Sequence, residues 1–231
     1  MIINDINIVE TLGLRVKDYQ IEAPTTKNPN INVPLAHGGI ISNPLNMVLF
    51  ENREIVVELD KKLTHAGEAY TTFSKLGQVL YSSTRYPIVF SWDKNFFWIG
   101  RCVGVDIERI LDKYVTYQIR FEVEPYKYDV QIAGEPWLWN PFNFLNGIIA
   151  STPTKIKGKG NVVVFNRTKP TNPFIQVTHW CTVQFEETVY VVEPGTFFDP
   201  GIVLKPGKNT FLVDTHDKET TITIKYRMGE L

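Results

Sequence analysis

Between Lys113 and Val123 the chain alternates without interruption: Val115, Tyr117, Ile119, Phe121 and Val123 against Thr116, Gln118, Arg120 and Glu122. A period of two over that length marks a long half-buried strand, because successive side chains leave a pleated backbone on opposite faces. The pattern runs into Pro125-Tyr126-Lys127-Tyr128 near the middle of the chain and then restarts. This predicts a mainly β protein of two domains, 1–128 and 129–231, and a length of 231 residues accommodates two ordinary domains.

Ahead of the long strand, Ile6-Asn7-Ile8-Val9 and Leu12-Gly13-Leu14-Arg15-Val16 read as short edge or pairing strands. Residues 23–34, rich in Pro, Asn and Thr, read as a loop. His37-Gly38-Gly39 reads as a turn, 40–50 as a hairpin arm, and Glu54-Ile55-Val56-Val57-Glu58-Leu59 as a strand. One helix is predicted over 71–82, where Phe73, Leu76 and Leu80 fall on a single apolar stripe. Gly77 weakens it by about 1 kcal/mol relative to Ala. Pro87 imposes an extended conformation on Tyr86. Ile88-Val89-Phe90 and Phe96-Phe97-Trp98-Ile99-Gly100 then form a hairpin, which residues 102–107 continue.

The second half reads as short strands divided by turns: 161–165, 174–177, 181–185, 188–192, 211–213 and 220–227. Regular spacing with no helical segment argues for a β-sandwich. Cys102 and Cys181 lie far apart and read as buried thiols, since a disulfide framework would need more cysteines.

Formal charge is −1, from 24 basic and 25 acidic side chains. Holding DNA or RNA requires an excess of phosphate-neutralising cations, so a near-neutral chain is a poor candidate. Met1-Ile2-Ile3-Asn4-Asp5 lacks the basic and apolar regions of a signal peptide. No apolar run approaches the roughly 20 residues needed to span a bilayer, so no membrane insertion is expected.

The four histidines, His37, His65, His179 and His216, include no pair at helical i, i+4 spacing. Asp214-Thr215-His216-Asp217 reads as a hairpin turn in preference to an acid–base pair or metal site. Glu186-Glu187 reads as a solvated turn, and Lys155–Gly160 as a solvated hairpin loop. No phosphate loop, nucleophile elbow or spaced Cys/His set is present. The expectation is a protein that is not an enzyme, with no catalytic residues, metal ligands or cofactor. Trp137 and Trp139, in the aromatic cluster 137–144, have three readings. They stack on sugar rings, anchor a protein interface, or pack between the two domains.

The order of these features resembles the distal tail proteins of long-tailed, non-contractile phages that infect Gram-positive bacteria. The early strand segment 12–16, Gly38-Gly39, the strand 55–59 and the lone helix come first. Then follow Phe97-Trp98-Ile99-Gly100-Arg101-Cys102 and Phe121-Glu122-Val123-Glu124-Pro125-Tyr126-Lys127-Tyr128. The second half, with Val203-Leu204-Lys205-Pro206-Gly207-Lys208-Asn209 and Ile224-Lys225-Tyr226-Arg227, is similar to the family's galectin-like sandwich. The resemblance implies a β-rich N-terminal domain with one helix and hairpin arms, ahead of a galectin-like β-sandwich. It further implies a structural hub in the virion, made in the host cytoplasm and built as a homohexameric ring. Its implied partners are the tail-tube protein, the tail-associated lysin or tail-tip protein, and a receptor-binding protein. DNA passes its central opening without specific binding. The alternative is a lectin-like module that contacts a host-surface glycan through Trp137 and Trp139.

Overall fold

The computed structural model describes residues 1–27, 30–32, 37, 39–41, 48–65, 67–111, 113–135 and 153–231. The chain divides into two compact units, Met1–Pro125 and Tyr126–Leu231.

The first unit opens with β1 (Ile2–Ile3), β2 (Ile6–Asn7), α1 (Ile8–Thr11) and β3 (Arg15–Ile21). β4 (Asn30–Asn32), β5 (Gly39–Ile41), β6 (Arg53–Lys62) and α2 (Gly67–Leu80) follow. β7 (Tyr86–Val89), β8 (Phe96–Leu111) and β9 (Tyr114–Asp129) complete the set, β9 running on into the second unit. Hydrogen-bonded order in the main sheet is β2-β1-β7-β8-β9-β6-β3. The alternating residues of β9 behave as their pattern predicts: Val115, Tyr117, Ile119, Phe121 and Val123 are all fully buried. They pair in register with β6, from Tyr114↔Lys62 to Val123↔Arg53. Against this face packs α2, through Ala69, Thr72, Leu76 and Leu80. The Tyr117 hydroxyl donates to the Ala69 carbonyl at 2.7 Å, tying strand to helix.

Four local features depart from the sequence reading. Asn4 and Asp5, both at positive φ (48° and 63°), close a two-residue hairpin between β1 and β2. Ile8–Thr11 forms a helical turn where strand was expected. The Asn7 side chain caps it, Ile8 is fully buried, and Gly13 at φ 62° ends it. α2 begins at Gly67, ahead of the predicted start, because the Glu68 carboxylate accepts both the backbone N–H (2.8 Å) and the hydroxyl (2.7 Å) of Thr64. β9 does not stop at Pro125. That residue lies beyond the last pair with β6, where the missing N–H breaks no bond in that ladder.

The second unit holds β10 (Thr154–Ile156), β11 (Lys159–Asn166), β12 (Phe174–Val177) and β13 (Cys181–Phe185). It continues with β14 (Thr188–Val192), β15 (Gly195–Phe198), β16 (Gly207–Asp214), β17 (Thr220–Lys225) and β18 (Gly229–Glu230). Two four-stranded antiparallel sheets form, β10-β17-β12-β15 and β11-β16-β13-β14. Ile175, Val177, Ile222 and Ile224 of the first share a core with Val162, Val164, Val183, Phe211 and Val213 of the second, a β-sandwich. β18 pairs with the end of β9, Gly229↔Tyr128 and Glu230↔Lys127.

Two expected hairpins are instead corners. β10 and β11 lie in different sheets, as do β16 and β17, so 157–158 and 215–219 carry the chain from one layer to the other. The corners hold each other. Thr215, buried, accepts the Gly158 N–H at 2.8 Å through its hydroxyl, and its own N–H donates to the Gly158 carbonyl at 2.9 Å. Positive φ at Gly158, His216 and Asp217 (74°, 47° and 67°) makes the reversals. By contrast Glu186-Glu187 does join a hairpin, β13 to β14, with Glu186 at φ 54°. Cys102 and Cys181 are free, buried thiols. Among the described residues no helix is long and apolar enough to cross a membrane.

Candidate interaction surfaces

β3 ends the main sheet, bonded to β6 along one side; among the described residues no strand pairs with its other side. Every residue of β3 except Val16 is exposed. A bulge between Val16 and Asp18 breaks its register, and bulges blunt edges that would otherwise recruit strands at random. At the bulge Lys17 donates to Glu58 at 2.8 Å. Tyr19 stacks on Trp92 (centroids 4.0 Å apart, planes 9°), and Trp92 stacks on Phe90 at 4.4 Å, which holds the edge against the core. From β3 the chain leaves the sheet as a ladder: Lys27 N–H donates to the Leu49 carbonyl, Thr26 bridges Phe50, and β4 pairs with β5. Sequence reading placed an arm at 40–50 but took its partner segment, 23–34, for a loop. That segment's polar composition carries no apolar alternation to mark β4.

The sheet face opposite α2 carries several ion pairs. Arg101 meets Glu122 at 2.8 Å, Arg120 meets Asp106 at 2.9 Å, and Arg85 meets Glu124. Hydrogen bonds from Arg101 and Asn52 hold the Glu122 carboxyl below its usual range. Solvated pairs of this kind contribute about 0–1 kcal/mol each, so their main effect is to cancel local charge.

In the second unit Asp129 is buried at the end of β9. Burial pushes its carboxyl up to about 6, against the pull of Arg167, whose Nε lies 3.4 Å away. Arg167 also bonds Glu230, and Lys127 sits 3.1 Å from that same carboxylate. Arg227 donates to the carbonyls of Asp129 and Val130. These groups fasten β9, β18 and the 167–169 segment together.

Asp214 and His216 do not converge as an acid–base pair. The Asp214 carboxylate accepts the backbone N–H of His216 at 3.0 Å, while the imidazole stacks on Trp180 at 4.5 Å. Among the described residues no group of three His, Cys, Asp or Glu is placed to hold a metal ion. Trp137 and Trp139 lie outside the described residues. What sequence reading missed is the outer face of β11-β16-β13-β14. There Asn161, Leu212, Gln184 and Val189 form one row across four strands. The strands themselves were read from the sequence; which of them stand side by side was not in the pattern.

No family model and no curated protein matches the chain. Among solved structures it is similar to the SPP1 Dit protein, described as a paradigm of the hub adsorption apparatus in phages infecting Gram-positive bacteria. That match has a TM-score of 0.68 and 17% identity, over 100% of this chain and 98% of that one. The phage P2 baseplate in its activated conformation, solved with Ca and with Sr, matches at TM-scores of 0.39 and 0.40. Identity is 10%, over 93% of this chain and 90% of that one. The first match shows a shared fold along the whole length of both chains.

Proposed function

We propose that this chain is a structural hub of a phage tail tip, a distal tail protein, with no catalytic activity and no cofactor. One observation carries the proposal: the fold is that of SPP1 Dit from end to end, with neither chain holding a large segment the other lacks. In this reading copies of the first unit join side by side in a closed homohexameric ring, through one heterologous interface repeated until rotation closes it. The exposed edge of β3, the bridge between Thr26 and Phe50 and the β4–β5 pair are the elements offered to a neighbouring copy, by strand addition. The second unit, a galectin-like sandwich, contacts other components. The hub thereby joins the tail tube to the tail-tip or lysin protein and to a receptor-binding protein. DNA passes the central opening without specific binding. Matched surface charges favour that passage, since a cationic lining would retain phosphate.

Light scattering of the full chain at rising concentration, with negative-stain imaging, tests the proposal. Closed rings are the expected outcome. A strict monomer at high micromolar concentration, with no ring in images of tail particles carrying the protein, would overturn it.

A further inference from the structure

β14 ends the sheet β11-β16-β13-β14. It bonds to β13 on one side, and among the described residues no strand pairs with the other. The two-residue turn Glu186-Glu187 makes Phe185↔Thr188 the first bonded pair of that hairpin. Thr188, Tyr190 and Val192 therefore direct their backbone N–H and C=O groups to β13, while Val189 and Val191 direct theirs away from the sheet. The same two valines have side chains 59% and 61% exposed. The strand is held from behind: Val192 is fully buried, and the Tyr190 ring meets Phe197 of β15 with centroids 5.9 Å apart. Sheet edges are normally blunted by lysine, proline or a bulge, as the bulge blunts β3. β14, Thr-Val-Tyr-Val-Val, has none of these, and its register with β13 is unbroken.

The edge is also acidic. Residues 186–199 contain Glu186, Glu187, Glu193 and Asp199 and no Lys, Arg or His. Lys205 meets Glu186 at 2.6 Å, but among the described residues Glu187 and Glu193 have no cation partner. Glu187, Val189, Val191 and Glu193 share one parity of the chain, and all four are exposed. We propose that the free edge of β14 takes up an extended segment of another protein, in which two alternate β-branched or aromatic residues stand between two cations. The outward backbone groups of Val189 and Val191 supply the ladder, their side chains the cross-strand pairs, and the two glutamates the ends. A second copy of β14 does not fit. Antiparallel pairing with Val189 opposite Val191 sets Glu187 against Glu193 at both ends, and a slip of one residue sends the valines to opposite faces. The site gives the second unit's proposed contact with other components a place and a chemistry. Ring assembly, read separately by light scattering, does not enter its test.

The probe is a capped peptide, Lys-Thr-Val-Thr-Val-Thr-Lys, titrated against the full chain by fluorescence anisotropy, with amide hydrogen exchange read residue by residue. In the free protein the Val189 and Val191 amides should exchange fast and those of Tyr190 and Val192 slowly. Saturating peptide should slow exchange at Val189 and Val191 at least tenfold. Glu187→Lys/Glu193→Lys should weaken binding at least tenfold and accept instead the same peptide with Glu in place of Lys. Val191→Pro, which removes an outward N–H and no bond to β13, should abolish binding of both peptides. Absence of binding at millimolar peptide would overturn the proposal, as would equal affinity for a peptide with Thr in place of Lys. Slow exchange at Val189 and Val191 in dilute free protein would overturn it by showing the edge covered by the chain itself. Protection that grows with protein concentration alone would overturn it in favour of a second copy.

Discussion

A methyl group added at Gly100 would lie 2.4 Å from the Glu122 carbonyl oxygen and 2.8 Å from Val123 Cα, both backbone atoms of β9. Neither can yield without moving the central strand, so Gly100→Ala should destabilise the first unit by roughly 2–3 kcal/mol in urea unfolding. Gly77 is the opposite case. A Cβ there meets nothing nearer than Tyr81 Cδ2 at 4.0 Å, on a helix the sequence already marked as weakened. Gly77→Ala should raise stability by about 1 kcal/mol in the same assay. Asp129 sets a pH dependence. Burial raises its carboxyl to about 6 when folded, against 3.8 for an ordinary aspartate, so the folded chain binds the proton more tightly between those values. Its contribution is full below the lower value and is lost as pH rises through the upper one. Asp129→Asn removes this slope. The unfolding free energy of the variant relative to the parent, from urea titrations across pH, should therefore climb between about pH 4 and pH 7, by up to about 3 kcal/mol. A flat or falling difference would show that the Arg167 ion pair outweighs burial.

Elements bounded by a turn within one sheet were legible, and those joined across layers were not. The β13–β14 hairpin was read from Glu186-Glu187 because two β-prone arms, β13 alternating and β14 rich in Val and Tyr, flank a two-residue polar turn. Its Glu186 pays for a left-handed φ of 54°, which only glycine adopts freely. Glu186→Gly should stabilise the second unit by about 0.5–1 kcal/mol even though the exposed ion pair with Lys205 is lost, while Glu187→Gly should give no gain; thermal melts separate the two. The 154–161 and 211–221 segments looked like hairpins for the same local reason, alternating arms around polar turns. In three dimensions their arms enter different sheets, and Thr215 locks the two corners together. Thr215→Val keeps the shape and removes the hydroxyl, so it should cost about 1–3 kcal/mol by leaving the Gly158 N–H without that acceptor. Unchanged stability in chemical denaturation would mean that backbone bonding alone holds the corner.

Two hydrophobic clusters, one per unit, share no residue. Phe121 fills the first and Phe211 the second, each fully buried. Truncating either to Ala should cost about 3–5 kcal/mol. In differential scanning calorimetry Phe121→Ala should lower one transition and Phe211→Ala the other; a single transition lowered equally by both would show one cooperative core. Which residues of the long strand go inside was legible from the chain alone, because burial of alternate side chains on a pleated strand writes a period of two into it. The sequence thereby determined the β class, the long helix under the stripe Phe73-Leu76-Leu80, and a charge balance unsuited to nucleic acid. Tertiary structure alone decided which strands became neighbours. Alternation says that a strand has an inner face but not which strand lies beside it, since backbone hydrogen bonds are the same for every residue. For that reason the exposed edge of β3, the linked corners at Gly158 and Thr215, and the row Asn161-Leu212-Gln184-Val189 came into view only once the sheets were assembled.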